Sequence, residues 1–109
     1  IPNYHYENLL ELATAYEERE LANPAIIIDT NHSNSMKKFY EQPRIAKEVL
    51  FSRKWDSKLK GLIKGLMIES YIVEGSQDIN CHVYGKSITD PCLGWEDTEK
   101  LIYYIAENV

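Results

Sequence analysis

Asn23-Pro24-Ala25-Ile26-Ile27-Ile28-Asp29-Thr30-Asn31-His32 is the stretch on which the reading of the fold turns. Asn23-Pro24 disfavours a continuing helix, and the uninterrupted, mostly β-branched run from Ala25 to Ile28, bounded by polar residues, has the pattern of a buried parallel strand. Upstream, Leu9, Leu12, Ala13 and Tyr16 recur at helical spacing between Tyr6 and Leu21, with Glu11, Glu17, Glu18 and Glu20 mostly on the other face. Downstream, Pro43 suits the first position of a helix whose Ile45, Ala46, Val49 and Leu50 share one face, while Arg44, Lys47 and Glu48 face away. After Trp55 and a short amphipathic turn through Leu59, Leu62 and Ile63, a second run, Gly65-Leu66-Met67-Ile68, ends at Glu69-Ser70. A loop with Gly75, Ser76, Asp78 and Asn80 leads to a third, weaker strand, Val83 to Thr89, which ends at Asp90-Pro91. Gly94 then opens a last helix with Leu101, Ile102 and Ile105 in register and Trp95 packing it onto the sheet. This alternation predicts an α/β fold with parallel strands, and residues 1–109 read as a single segment.

Composition narrows the function. The 109 residues are 44% hydrophobic and 27% charged, an ordinary globular balance that supports one modest core. The formal charge is −5, and Lys37, Lys38, Lys58, Lys60 and Lys64 are interrupted by apolar residues, so no basic stripe is available to a nucleic acid. No apolar stretch approaches the roughly 18 residues of a spanning helix, and the first residues lack the charged-then-apolar layout of a leader. A cytoplasmic protein is expected, without a membrane partner. Cys81 and Cys92 do not make a disulfide framework and read as free thiols. Ile1 in place of Met, directly before a helical pattern, points to a truncated or cleaved product.

Each of the three apolar runs ends in a side chain that can bind a metal: His32, Glu69 and Asp90. In parallel α/β architectures the carboxyl ends of neighbouring strands converge on one crevice, so residues far apart in sequence meet there. One imidazole and two carboxylates suit a divalent metal ion such as manganese, iron, cobalt or zinc. Plainer readings stand beside this one. A lone His after a strand is more often structural, and Asp90 before Pro91 also suits a turn. Glu69 is harder to dismiss, because a carboxylate buried behind four apolar residues must be paired, protonated or bound to a cation.

Longer motifs are more specific. Asp29-Thr30-Asn31-His32-Ser33-Asn34-Ser35 is followed by Gly65-Leu66-Met67-Ile68-Glu69-Ser70 with Glu74-Gly75-Ser76-Gln77, then Tyr84-Gly85-Lys86-Ser87-Ile88-Thr89-Asp90 with Gly94-Trp95-Glu96-Asp97-Thr98. In this order they resemble the motif series of the type I 3-deoxy-D-arabino-heptulosonate 7-phosphate (DAHP) synthases, and Pro2-Asn3-Tyr4 resembles the segment after that family's substrate-binding Arg. The resemblance implies the C-terminal segment of a TIM (β/α)8 barrel, with His32, Glu69 and Asp90 as metal ligands. It implies a part of the enzyme that condenses phosphoenolpyruvate with erythrose 4-phosphate, the first step of the shikimate pathway. Asp90 would hold a substrate hydroxyl besides the metal, and Lys86, on the strand leading to it, would face the barrel interior; a charge-paired structural Lys is the plainer alternative.

The family's fourth ligand, a Cys near the first barrel strands, has no counterpart here, since neither Cys81 nor Cys92 occupies that place. Most of the cations that hold the substrate phosphates are also missing, so the chain alone is expected to be inactive. Thr30 and Asn31 depart from the aromatic-or-Cys and Ser pair usual before the family's His. Cys92 would lie near the metal in the family's geometry, although a small buried hydrophobe is the plainer reading, and His5 and His82 read as surface residues. An arc of a barrel has open strand edges and an uncovered inner face, so self-association into a homo-oligomer is expected. Two other readings compete: a self-contained α/β binding module whose strand-end polar residues are caps and turns, and a metal-dependent aldolase with a different acceptor. Convergence of His32, Glu69 and Asp90 to within about 5 Å of one point separates a metal site from a module, since metal–ligand bonds are near 2.0–2.2 Å.

Overall fold

The computed structural model describes all residues 1–109. Helix α1 (Tyr6–Arg19) precedes strand β1 (Ile26–Asp29), and the chain then forms a single helical turn, α2 (His32–Ser35), and a short 3₁₀ turn before α3 (Gln42–Trp55). Helix α4 (Ser57–Leu62) runs straight into strand β2 (Ile63–Met67). Strands β3 (Val73–Ser76) and β4 (Lys86–Ser87) follow, and α5 (Trp95–Asn108) closes the chain.

Strands β1 and β2 pair in parallel, Ile28 opposite Leu66 and Asp29 opposite Met67, with α2, α3 and α4 as the crossover that parallel pairing requires. The α3 helix has Pro43 in its first turn, where the missing N–H costs nothing, and buries Ile45, Ala46, Val49 and Leu50. The Asp56 carboxylate caps α4 by accepting from the backbone N–H groups of Lys58 and Leu59. Leu9 and Ala13 of α1, Ile26 and Ile28 of β1, Ile45 and Val49 of α3, Leu59 and Leu62 of α4 and Ile63 of β2 join Tyr4 in one core. Leu9, Ile45, Val49 and Leu59 are fully enclosed, and each such side chain stabilises the fold by about 1.5–3 kcal/mol. A smaller cluster of Ala46, Leu93 and Leu101 seats α5 against α3.

The sequence pattern placed α1, β1, α3, β2 and α5 correctly, and the structure differs from it in four places. Strand β1 is buried on one face only: Ile26 and Ile28 point into the core, but Ile27 is 67% exposed. Helices cover one face of this two-stranded sheet and leave the other open. The third strand shrinks from Val83–Thr89 to Lys86–Ser87 and pairs with β3, not with β2. Gly85 at φ +77° turns the chain just before it, and the Ser87 hydroxyl accepts from the Thr89 N–H just after it, so local side-chain bonding ends the ladder. Strand β3 itself falls where a loop was expected, its Gly75 taking a positive φ. Trp95 is 54% exposed and does not pack α5 on a sheet; Leu101 and Thr98 of that helix are the buried residues.

Candidate metal centre

Strand β1 delivers His32 through a tight turn. The Asp29 carboxylate accepts from the Asn31 N–H at 2.8 Å, the Asn34 amide donates to the Asp29 carbonyl at 2.8 Å, and the Ser35 hydroxyl donates to the Asn31 side-chain oxygen at 2.6 Å. Asn34 in turn accepts from the Asn3 N–H, which pins the first residues of the chain to the same turn. His32 takes φ +52°, a left-handed backbone that His tolerates better than most residues. This turn aims the imidazole. Its Nδ1 lies 2.7 Å from Asp29 Oδ2, so Asp29 accepts the ring N–H and leaves Nε2 facing away from the strand.

On that side stand both carboxylates. Nε2 is 3.5 Å from Glu69 Oε1 and 3.3 Å from Asp90 Oδ2. One ligand atom from each of His32, Glu69 and Asp90 falls in a group whose members all lie within 4.8 Å of one another. Glu69 sits just past β2, as expected. Asp90 arrives differently from the expected third parallel strand: the loop after β4 carries it. That loop is tied down by the Leu93 N–H donating to the Glu69 carbonyl at 3.0 Å and the Tyr71 N–H donating to the Leu93 carbonyl at 2.9 Å. Cys92 exchanges two backbone hydrogen bonds with Gly75 of β3.

Three carboxylates around one imidazole call for positive charge. The hydrogen bond from His32 to Asp29, followed by the field of the same carboxylate, pushes the His32 pKa up; Glu69 and Asp90 push the same way, and burial opposes them. A proton on Nε2 answers that demand, and so does a cation in its place. The donor set of one neutral imidazole nitrogen and two carboxylates, with the second ring nitrogen held by a carboxylate, suits a divalent metal. An open cleft of about 510 Å³ lined by Ile1, Pro2, His32, Ser33, Met36 and Lys37 borders the imidazole.

Lys86 is the candidate that stays outside the group. It begins β4, half-buried and paired with Val73, and no hydrogen bond or ion pair joins its ammonium to His32, Glu69 or Asp90. Cys92 is buried, with Sγ 4.0 Å from Glu69 Oε2 and 3.4 Å from the Asp90 carbonyl. Burial, opposed by a hydrogen bond with Ser87 and helped by the charges of Glu69 and Asp90, pushes this thiol up. Cys81 is exposed and also free, and His5 and His82 lie at the surface, His5 paired with Glu48.

Two contributors were missed by sequence reasoning. Asp29 was read only as part of a motif, although a carboxylate three residues before a candidate His ligand is the partner such a ligand normally takes. Gln42 was not singled out at all. It is fully enclosed: its Oε1 accepts from the Glu69 N–H at 2.8 Å and from the Thr30 hydroxyl at 2.9 Å, and its Nε2 donates to the Glu69 carbonyl at 2.9 Å.

The family model described as the DAHP synthetase I family matches residues 1–102. The chain is 39% identical to the Trp-sensitive phospho-2-dehydro-3-deoxyheptonate aldolase of Enterobacter agglomerans, over 99% of this chain and 31% of that protein. It is 37% identical to the phospho-2-dehydro-3-deoxyheptonate aldolase of Haemophilus influenzae, over 99% of this chain and 30% of that one. The solved structure of the corresponding aldolase from Francisella tularensis superposes with a TM-score of 0.89 at 33% identity, covering 99% of this chain and 31% of that chain. The chain thus spans about 30% of the length of the curated relatives it matches.

Proposed function

The chain belongs to the DAHP synthetase I family, and from that premise we propose that it is the metal-binding part of an enzyme condensing phosphoenolpyruvate with erythrose 4-phosphate to DAHP. The observation that carries this reading is the convergence of His32, Glu69 and Asp90, whose ligand atoms lie within 4.8 Å of one another although they come from the start of α2, the segment after β2 and the loop after β4. The same convergence speaks against a self-contained module whose polar residues are only caps.

In this reading the segment is an arc of a (β/α)8 barrel, a fold of about 250 residues. The open face of β1, with exposed Ile27, and the partly exposed Met67 of β2 support that reading, since each is an apolar surface awaiting cover. The same surfaces support assembly with further copies. No helix is long and apolar enough to cross a membrane, in keeping with a cytoplasmic setting for phosphorylated substrates.

His32 Nε2, Glu69 and Asp90 would hold a divalent ion such as manganese, iron, cobalt or zinc. When bound, the ion supplies Lewis-acid polarisation of the aldehyde oxygen of erythrose 4-phosphate. Asp29 accepts the Nδ1–H of His32, which keeps the Nε2 lone pair turned to the site. Glu69 and Asp90 bring two negative charges that balance the ion. The Asp90 side chain is half exposed and has an oxygen to spare for a substrate hydroxyl. Lys86 then faces the barrel interior on the strand leading to Asp90.

The test is phosphate release from phosphoenolpyruvate that depends on erythrose 4-phosphate, measured on the intact protein as its gene encodes it. The reading predicts activity that a chelator abolishes and a divalent metal restores, and none from residues 1–109 alone. Chelator-insensitive activity, or activity of the isolated segment, contradicts it.

A further inference from the structure

We propose that Gln42 is a positioning residue for the metal ligand Glu69, holding that carboxylate in place through its backbone. This rests on the reading of Glu69 as a ligand.

The contact is two-sided. Gln42 Nε2 donates to the Glu69 carbonyl at 2.9 Å while its Oε1 accepts from the Glu69 N–H at 2.8 Å, so one side-chain amide grips both polar groups of the same residue. Glu69 lies beyond the last residue of β2, where the ladder with β1 has ended, and the Gln42 amide replaces the missing strand. The orientation of the amide is fixed by its partners, because the reverse placement sets N–H against N–H and oxygen against oxygen. Gln42 Oε1 also accepts from the Thr30 hydroxyl at 2.9 Å, and Thr30 donates its backbone N–H to the Met67 carbonyl at 2.9 Å. The Glu69 carbonyl takes a second bond, from the Leu93 N–H at 3.0 Å, which anchors the loop bearing Asp90.

Gln42 therefore links three segments: the end of β1 that leads to His32, the backbone of Glu69, and through its carbonyl the Asp90 loop. It does so from the first turn of α3, itself fixed by the core residues Ile45 and Val49. A Gln enclosed to this degree, with every polar atom bonded, costs desolvation that an apolar residue would not. Its return is a rigid frame: metal affinity depends on ligands held before the ion arrives.

The experiment measures Co²⁺ affinity and the visible absorption of bound Co²⁺ in the intact protein and its variants, with thermal unfolding alongside. Gln42→Leu leaves an apolar side chain in the enclosed space and removes both bonds to Glu69 together with the one to Thr30; a 10- to 100-fold weaker affinity, of the order found for groups that orient ligands, together with a shifted cobalt band, is the expected result. Leu9→Ala, in the same enclosed core but on α1, lowers stability but leaves the band and the affinity unchanged. Should Gln42→Leu not fold, Gln42→Glu keeps the acceptor for the Glu69 N–H and sets an oxygen against its carbonyl, and is expected to weaken Co²⁺ in the same way. Unchanged affinity and band in whichever Gln42 variant folds, with Glu69→Gln losing the ion, overturns this inference and leaves the metal reading standing. Cobalt binding that Glu69→Gln does not alter overturns both.

Discussion

The two halves of the chain hold the candidate ligands in different ways. His32 and Glu69 leave a layer in which α1, α3 and α4 close on β1 and β2; the enclosed Thr30 and Gln42 cross-link the strand ends, and the enclosed Asn31 and Ser35 brace the turn after β1. Asp90 leaves the thinner β3–β4 region, where Tyr84 is 90% exposed, β4 is two residues long, and backbone bonds to Glu69 and Gly75 do most of the anchoring. The difference teaches that the candidate site lies on a seam: two ligands are set by a packed core, the third by a loop clipped to it.

The largest expected contrast is in stability. Leu59→Ala, in the enclosed core, is expected to cost about 2–5 kcal/mol by denaturant unfolding, whereas Ile88→Ala, at an exposed position beside β4, changes stability by less than about 0.5 kcal/mol. Equal losses would erase the contrast between the halves.

Glycines sharpen it. A Cβ on Gly85 would stand 3.0 Å from Ile72 Cβ at a φ of +77°, so Gly85→Ala is expected to cost about 1–3 kcal/mol and to loosen the Asp90 loop. Gly61 in α4 has open space around its missing Cβ, and Gly61→Ala is expected to stabilise by about 0.5–1 kcal/mol. Thermal unfolding of the pair decides, and a harmless Gly85→Ala would show the β4 turn to be less constrained than its geometry implies.

A more local effect is expected at Asp29. Asp29→Asn removes the charge that fixes His32, and divalent-metal affinity should fall about 10- to 100-fold with little change in unfolding temperature. Calorimetric titration with Mn²⁺ checks this, and undiminished affinity would remove Asp29 from the site.

The smallest effect is on pH dependence. Without metal, His32 has its pKa raised above the usual 6.5, so protonation adds stability that is fully present below the unfolded value and is lost as pH rises through the folded value. With metal the sign reverses for binding: the proton competes for Nε2, and affinity falls as pH drops through the same folded value. Proton NMR titration of the His32 ring should show a midpoint above 6.5 that moves down in Asp29→Asn; a midpoint at or below 6.5 in the unsubstituted chain contradicts the role given to Asp29.

The same seam explains what the sequence disclosed. The apolar runs Ala25–Ile28 and Gly65–Ile68 announce β1 and β2 although only alternate residues of β1 and none of Gly65–Ile68 are buried here, and the polar residues just beyond them stand out by contrast. Nothing comparable marks β3, whose four residues include Glu74 and Gly75, or the shortness of β4, which is decided by Gly85 and Ser87. The open face under Ile27 is invisible locally, because burial on the second face depends on what else packs there. Gln42 illustrates the limit most clearly: beside Pro43 it reads as an ordinary helix start, and its role exists only once α3 is laid across the end of β2.

The most direct test of the account is anomalous diffraction from crystals of the intact protein soaked in Mn²⁺. The account predicts one strong peak about 2 Å from His32 Nε2 and from a carboxylate oxygen of each of Glu69 and Asp90. The absence of a peak there, with Mn²⁺ bound elsewhere or not at all, would contradict it.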